Sequence, residues 1–176
     1  MNGLRAHTRS DTAKVVQCAF LLVAISLLSC GAAHAQIFIV RHAEKAQASP
    51  EDPGNPPLSE AGRRRAEGLA QVLRDAGVTS VYATEFQRTQ QTAQPTAEAA
   101  QVKVAVIAAN DSEALVQQLR AGSGPALVVG HSNTIPALLK ALGVKEEIAL
   151  GDADYDNLFV VLTEPEPHLL RLHYCP

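Results

Sequence analysis

The chain has 176 residues, 47% of them hydrophobic, with 15 basic and 18 acidic residues and a formal charge of −3. That length suits one domain, and the acidic balance argues against a nucleic-acid partner, because no basic run is present to balance phosphates. Of the three cysteines only Cys175 lies beyond residue 30, so the fold must rest on an apolar core and not on an internal disulfide.

Residues 1–35 read as an export signal. Arg5, Arg9 and Lys14 make a basic start, Cys18 to Leu28 is apolar except for Ser26, and Ala33-His34-Ala35 has small residues where a signal peptidase reads. Cleavage is expected before Gln36, which would make the protein periplasmic or secreted. The apolar run is short of the about 20 residues of a stable span, although an uncleaved anchor stays open. Leu27-Leu28-Ser29-Cys30 also resembles a lipoprotein box, and a lipid on Cys30 would tether the same domain to a membrane. Residues 36–176 then form the domain, with 12 basic and 17 acidic residues and a formal charge of −5.

Within that domain apolar runs and helical patterns alternate. A strand at 36–40 leads into a loop, 43–57, that holds Pro50, Pro53, Gly54, Pro56 and Pro57. Ser59 caps a helix of about 60–76 whose Ala66, Leu69, Ala70 and Leu73 share one face, and Gly77 ends it. A strand at 78–83, a helix at 86–100 with a kink expected at Pro95, and a strand at 102–107 follow. The spacing of Ser112, Leu115, Val116 and Leu119 predicts a helix over 112–120. Gly122-Ser123-Gly124 makes a turn, 125–129 a strand, and Ile135, Leu138, Leu139 and Leu142 one face of another helix. Residues 143–157 are polar and acidic and read as loop. Two last strands, 158–162 and 169–174, flank Glu164-Pro165-Glu166-Pro167. Strands alternating with helices predict an α/β fold: a three-layer sandwich with a mainly parallel central sheet and helices on both faces. The apolar strands Ile37-Phe38-Ile39-Val40 and Ala126-Leu127-Val128-Val129 suit a sheet buried on both sides.

In such sheets ligands bind beyond the carboxyl ends of the strands. The first strand delivers Arg41 and His42 there, and the second Thr84-Glu85-Phe86-Gln87-Arg88-Thr89. The third delivers Asn110-Asp111-Ser112-Glu113, and the fourth Gly130-His131-Ser132-Asn133. Each residue alone has an ordinary explanation. Arg41 could pair with a surface acid such as Glu44, Arg88 could be an exposed helix residue beside Glu85, and either histidine could bond to backbone. The Asn110–Glu113 stretch fits a capping box. Two arginines and two histidines arriving at one edge from three strands are harder to dismiss.

Those residues resemble the histidine phosphatase superfamily, which includes phosphoglycerate mutases and acid phosphatases. Arg41-His42-Ala43-Glu44 looks like its signature, and Pro57-Leu58-Ser59-Glu60-Ala61-Gly62 like the start of its first helix. Glu85 to Ala93 is similar to its second arginine segment, and Val128-Val129-Gly130-His131-Ser132 to its second histidine strand. The small size resembles the short, cap-less branch. The resemblance implies a phosphomonoester hydrolase acting on a small phosphorylated substrate. Its His42 would be neutral and attack phosphorus to form a phosphohistidine, with its other ring nitrogen donating to backbone. Arg41 and Arg88 would bind the phosphoryl oxygens, and a protonated His131 would add a third donor. It implies neither metal nor cofactor. The proton for the leaving group would come from the segment after the third strand, from Glu113 in preference to Asp111, or from no dedicated residue.

Two other patterns compete. Asp152-Ala153-Asp154-Tyr155-Asp156 resembles the start of a calcium loop, but Asn157 and Thr163 stand where that loop needs Gly and Glu. It reads instead as an acidic loop beside the site, with Tyr155 near substrate. Gly130-His131-Ser132-Asn133-Thr134 nearly matches a nucleophile elbow, followed by acids at 152–156 and then His168 or His173. A serine hydrolase using Ser132 is therefore a rival, but it leaves Arg41, His42 and Arg88 unexplained. A third reading keeps the basic pocket without catalysis, as a phospholigand-binding module.

Overall fold

The computed structural model describes residues 36–51, 53–163 and 166–175. The expected export signal at 1–35 lies outside the described residues. The six strands are β1 (Gln36–Arg41), β2 (Ser80–Ala83), β3 (Val104–Val106), β4 (Ala126–Gly130), β5 (Asn157–Leu162) and β6 (His168–His173). The helices, numbered along the chain, are α1 (Glu60–Val72), α2 (Gln87–Ala99), α3 (Ser112–Ala121) and α4 (Ile135–Ala141). They match the predicted order, with ends displaced by a few residues. The first helix stops at Val72, and the chain turns through 73–77 to Gly77, whose φ of 65° suits a residue without a side chain. α2 runs through Pro95 without ending.

The strands form one sheet in the order β3-β2-β4-β1-β5-β6. β1, β2, β3 and β4 are parallel, and β5 and β6 add an antiparallel hairpin at one side. From β1 to β2 to β3 the chain steps outward in one direction, then returns to insert β4 between β2 and β1. Right-handed crossovers place helices on opposite faces when the direction of travel reverses. α1 and α2 accordingly pack on one face, where Leu69, Leu73, Ala93 and Ala97 meet Phe38, Val40, Ala83 and Val129. α3 and α4 pack on the other, where Val116, Leu119, Ile135 and Leu139 meet Ile37, Ile39, Val128 and Phe159. Alternate residues of β1 and β4 thus enter opposite cores, as strand geometry requires, and this explains their continuous apolar character.

The loop after β1 is fastened to α1. Ser59 N–H donates to the Glu44 carbonyl at 2.9 Å, and a Cβ on Gly62 would run into that same carbonyl oxygen. Glycine is therefore required where the helix meets the loop. The Glu44 carboxylate accepts from Arg65 Nε at 2.9 and 3.0 Å and from Nη2 at 2.7 Å. Its partner is thus an arginine of α1, and the simple pairing of Arg41 with Glu44 is not formed.

Candidate active site

Register sets the site. Val129 of β4 lies opposite both Val40 of β1 and Ala83 of β2, and Arg41 lies opposite Gly130. The residues that follow, His42 and His131, leave their strands side by side, and the His42 N–H still donates to the Gly130 carbonyl at 2.9 Å. Their rings meet edge-on with centroids 5.3 Å apart. Both side chains are buried, as is Arg41.

His42 Nδ1 lies 2.8 Å from the Ala43 carbonyl oxygen. A carbonyl can only accept, so in the neutral ring Nδ1 carries the proton and Nε2 keeps its lone pair. The Ala43 N–H in turn donates to Thr92 Oγ1 at 2.9 Å, and that hydroxyl donates to the Arg88 carbonyl at 2.7 Å. Thr92 therefore joins the backbone that holds His42 to the helix turn that carries Arg88. His131 is held on its other side: Nε2 lies 3.0 Å from Thr84 Oγ1, and the backbone N–H donates to Thr134 Oγ1 at 3.1 Å.

Each arginine lies against an aromatic ring. The Arg41 guanidinium is 4.3 Å from the centre of Tyr155, and its Nη1 donates to the Gly151 carbonyl at 2.7 Å. The Arg88 guanidinium is 4.3 Å from the centre of Phe86, whose ring meets His131 edge-on at 5.3 Å. Stacking occupies a guanidinium face and leaves edge N–H groups for an acceptor. Tyr155 also approaches the His42 ring, at 6.1 Å between centroids.

Burial and positive neighbours keep both histidines uncharged. Burial pushes His42 down to about 4, helped by His131, Arg41 and Arg88 and opposed by the bond to Ala43. Burial also pushes His131 down to about 4, helped by Arg88 and Arg41 and opposed by Glu85. The resemblance implied a third charged donor in His131 if its ring is protonated. Burial with Arg88 and Arg41 beside it leaves the ring neutral near pH 7, and a nearby anion would favour charging it. Burial lowers the Arg88 pKa as well, and an arginine stays charged regardless.

The remaining predicted residues are placed differently. Asp111 caps α3, its Oδ1 accepting from Ala114 N–H at 3.0 Å. The cap is one residue later than the Asn110–Glu113 box supposes, because Asp111 reaches the third helical N–H and Glu113 then falls one position short of the box. Glu113 is exposed in the first turn of α3, with Gln117 Nε2 3.5 Å from its Oε1. Ser132 is half-buried. His173 pairs with Asp156 at 3.0 Å on β6, three strand positions from β4, or about 14 Å at the usual strand spacing. His168, at the other end of β6, pairs with Leu162, which pairs with Gln36 at the amino end of β1. Neither of these histidines is placed to complete a triad with Ser132. Among the described residues no group of three His, Cys, Asp or Glu side chains is arranged to hold a metal ion.

Thr84, Glu85 and Thr89 stand at this edge in the sequence but were given no role there, and Thr92 was not singled out. Glu85 Oε2 accepts from Ala109 N–H at 2.8 Å and ties the end of β2 to the loop after β3. The threonines did leave a signal. The buried residues of α2 are Thr89, Thr92, Ala93, Thr96 and Ala97, a full helical stripe made of small and hydroxylated side chains.

Residues 37–110 match the family model of the histidine phosphatase superfamily, branch 1. A stretch of 72 residues is 38% identical to the protein named probable phosphoglycerate mutase GpmB of Yersinia enterocolitica, covering 39% of this chain and 34% of that one. The chain thus spans about a third of that relative's length. Among solved structures, SixA of Agrobacterium tumefaciens superposes with a TM-score of 0.61 at 20% identity, covering 81% of this chain and 98% of that one. A mycobacterial glucosyl-3-phosphoglycerate phosphatase superposes with a TM-score of 0.63 at 16% identity, covering 81% and 100%. The family match, the relative and the shared fold together support the histidine phosphatase superfamily for this chain.

Depressed histidine pKa values have a consequence for stability. Unfolded histidines take up protons near 6.5, whereas the folded His42 and His131 resist until about 4. The unfolded state therefore binds more protons between these values, so the stability due to the neutral rings is complete above about pH 6.5 and is lost as pH falls toward 4. Urea titrations across that window should give a falling midpoint, and His131→Gln should flatten the fall; an equally steep fall in the variant would contradict this account.

Proposed function

We propose that this domain hydrolyses small phosphomonoesters outside the cytoplasm through a phosphohistidine on His42. The observation that carries this reading is the neutral His42, fixed through Nδ1 on the Ala43 carbonyl, beside Arg41, Arg88 and His131. A phosphomonoester brings about two negative charges near neutral pH. Arg88 and Arg41 are the cations to receive it. Arg41 Nε is buried with no acceptor among the described residues. Two solved relatives of this fold hold tungstate or inorganic phosphate, which supports an oxyanion as the ligand class.

The chemistry then has two steps. His42 Nε2 forms a bond to phosphorus while the bond to the leaving oxygen breaks, and Glu113 gives that oxygen a proton. Water next attacks phosphorus, the P–N bond breaks with its electron pair returning to Nε2, and Glu113 takes the water's proton. The dianion raises the proton affinity of His131, which becomes a third donor as charge moves onto the phosphoryl oxygens. Glu113 is assigned over Asp111 because the Asp111 carboxylate is engaged as the cap of α3. No step calls for a metal.

His42→Ala should abolish turnover of phosphomonoesters while the urea midpoint near pH 7 stays close to that of the parent, and Arg88→Ala should lower kcat by about 10²–10³. Rapid quench with labelled substrate should trap acid-labile, base-stable phosphate on the parent and none on His42→Ala. A fully active His42→Ala, or tight phosphate binding with no turnover across a panel that includes phosphohistidine, would end the reading. Glu113→Gln should slow alkyl phosphates more than p-nitrophenyl phosphate, whose leaving group needs no proton; equal effects would remove Glu113 from its role. The export reading is separable. Mass spectrometry of the mature protein should find Gln36 at the N-terminus, whereas a lipidated Cys30 or an intact Met1 would replace that assignment.

A further inference from the structure

The hydroxyl groups around His131 fix where its proton resides. Thr89 Oγ1 has four neighbours within hydrogen-bond distance. They are Thr84 N at 3.2 Å, Thr84 Oγ1 at 2.9 Å, and the carbonyl oxygens of Thr84 at 3.1 Å and Phe86 at 2.8 Å. A threonine hydroxyl has one proton to give and two lone pairs to offer. Carbonyl oxygens can only accept, so the single Thr89 proton goes to a carbonyl, and its lone pairs receive the Thr84 N–H and the Thr84 hydroxyl. The reverse direction would leave Thr89 Oγ1 facing two carbonyl oxygens with no proton between them. The Thr84 proton is thus committed to Thr89, and toward His131 the Thr84 oxygen can only accept.

We infer that Thr84 and Thr89 are positioning residues that hold the proton of neutral His131 on Nε2 and so leave Nδ1 as the ring atom free to exchange a proton with the phosphoryl group. The inference rests on the proposed phosphatase reading only for its functional half; the tautomer follows from the hydrogen bonds alone. The two histidines then hold opposite tautomers. His42 carries its proton on Nδ1 and presents Nε2, and His131 carries its proton on Nε2 and presents Nδ1. Neither free nitrogen is among the fully buried unpartnered atoms. The charged and titratable groups acting on His131 are Arg88 on α2, Glu85 after β2, and Arg41 and His42 at the end of β1. With its Nε2 proton already spent on Thr84, His131 can donate to an oxyanion only by gaining a second proton on Nδ1. Its function as a donor is then tied to protonation, which a bound dianion favours and burial beside Arg88 and Arg41 opposes.

The test uses the full chain labelled with 15N-histidine, and Thr84→Val, Thr84→Ser and Thr89→Ala. In the parent above pH 7 the His131 ring should show the pattern of a proton on Nε2; a proton on Nδ1 would overturn the inference outright. Thr84→Val should lose the single tautomer, lower kcat for p-nitrophenyl phosphate about tenfold or more with a smaller change in KM, and displace the acid limb of the pH profile. Thr84→Ser should recover the parent tautomer and most of the activity. An unchanged tautomer and pH profile in Thr84→Val would sink the idea, and if that variant fails to fold, Thr89→Ala carries the same expectation. Because the tautomer is read without substrate, a parent that turns over no phosphomonoester would remove the proposed function while this assignment stands or falls on its own spectrum.

Discussion

Parallel pairing of β1 with β4, in the register that sets Arg41 opposite Gly130, is the constraint on which the site depends. It places His42 and His131 one residue beyond the strand ends at the same height, and the bond from His42 N–H to the Gly130 carbonyl extends the ladder to the histidine itself. The register is pinned from both faces. Phe38, Val40 and Val129 enter the core under α1 and α2, whereas Ile37, Ile39 and Val128 enter the core under α3 and α4. Slipping β4 by one residue would exchange these sets and displace His131 by one position. Precise placement of the histidine pair therefore follows from the burial of ordinary aliphatic side chains several residues away.

Burial has an electrostatic effect in addition to a geometric one. A histidine that is to act as a nucleophile must be neutral, and at the ordinary value of 6.5 part of the population would be charged near neutral pH. Desolvation and the two arginines hold both rings neutral. The same desolvation weighs on the guanidinium groups, and the structure offsets it locally. Arg41 is compensated by Tyr155 and the Gly151 carbonyl, and Arg88 by the Phe86 ring and the charge of Glu85. Glu44, the acid nearest to this basic group in sequence, is turned away and held by Arg65, which itself reaches the Tyr174 carbonyl at 3.3 Å. That pair braces the loop without adding a negative charge to the face of His42.

The fold was legible because its strands are of the two-sided kind and its turns are punctuated by glycine and proline. Ile37 to Val40 and Ala126 to Val129 could only be central strands, and the helical faces at Leu69–Leu73 and Leu138–Leu142 needed no tertiary information. The direction in which β5 enters the sheet was not legible, because the stretch 143–157 before it shows no helical pattern whose crossover would set that direction, whereas the short link from β5 to β6 already implies an antiparallel pair. Arg41, His42, Arg88 and His131 stood out by residue type and position. Thr84, Thr89 and Thr92 did not, since a buried hydroxyl is recognisable only through the groups it bonds, and those come from β1, β2 and β4. The charge state of His131 was likewise hidden: it depends on burial, which no local pattern encodes.

The buried face of α2 reconciles these features. A helix packed on a sheet gains most by presenting Leu or Ile, and α2 instead presents Thr89, Thr92, Ala93, Thr96 and Ala97. Small side chains let the helix lie close to the sheet edge, and close approach is what allows its hydroxyls to reach the Ala43 N–H and the Thr84 backbone. The Thr92 hydroxyl returns its proton to the Arg88 carbonyl and the Thr89 hydroxyl to a carbonyl of Thr84 or Phe86, whereas Thr96 Oγ1 has no partner among the described residues. Buried polar groups of this kind add little net stability even when satisfied, and are costly when not. What they add is direction, because apolar contacts cannot distinguish one ring nitrogen from another. The helix that supplies Arg88 thus gives up apolar burial and in exchange fixes the orientation of His42 through its backbone and of His131 through its ring.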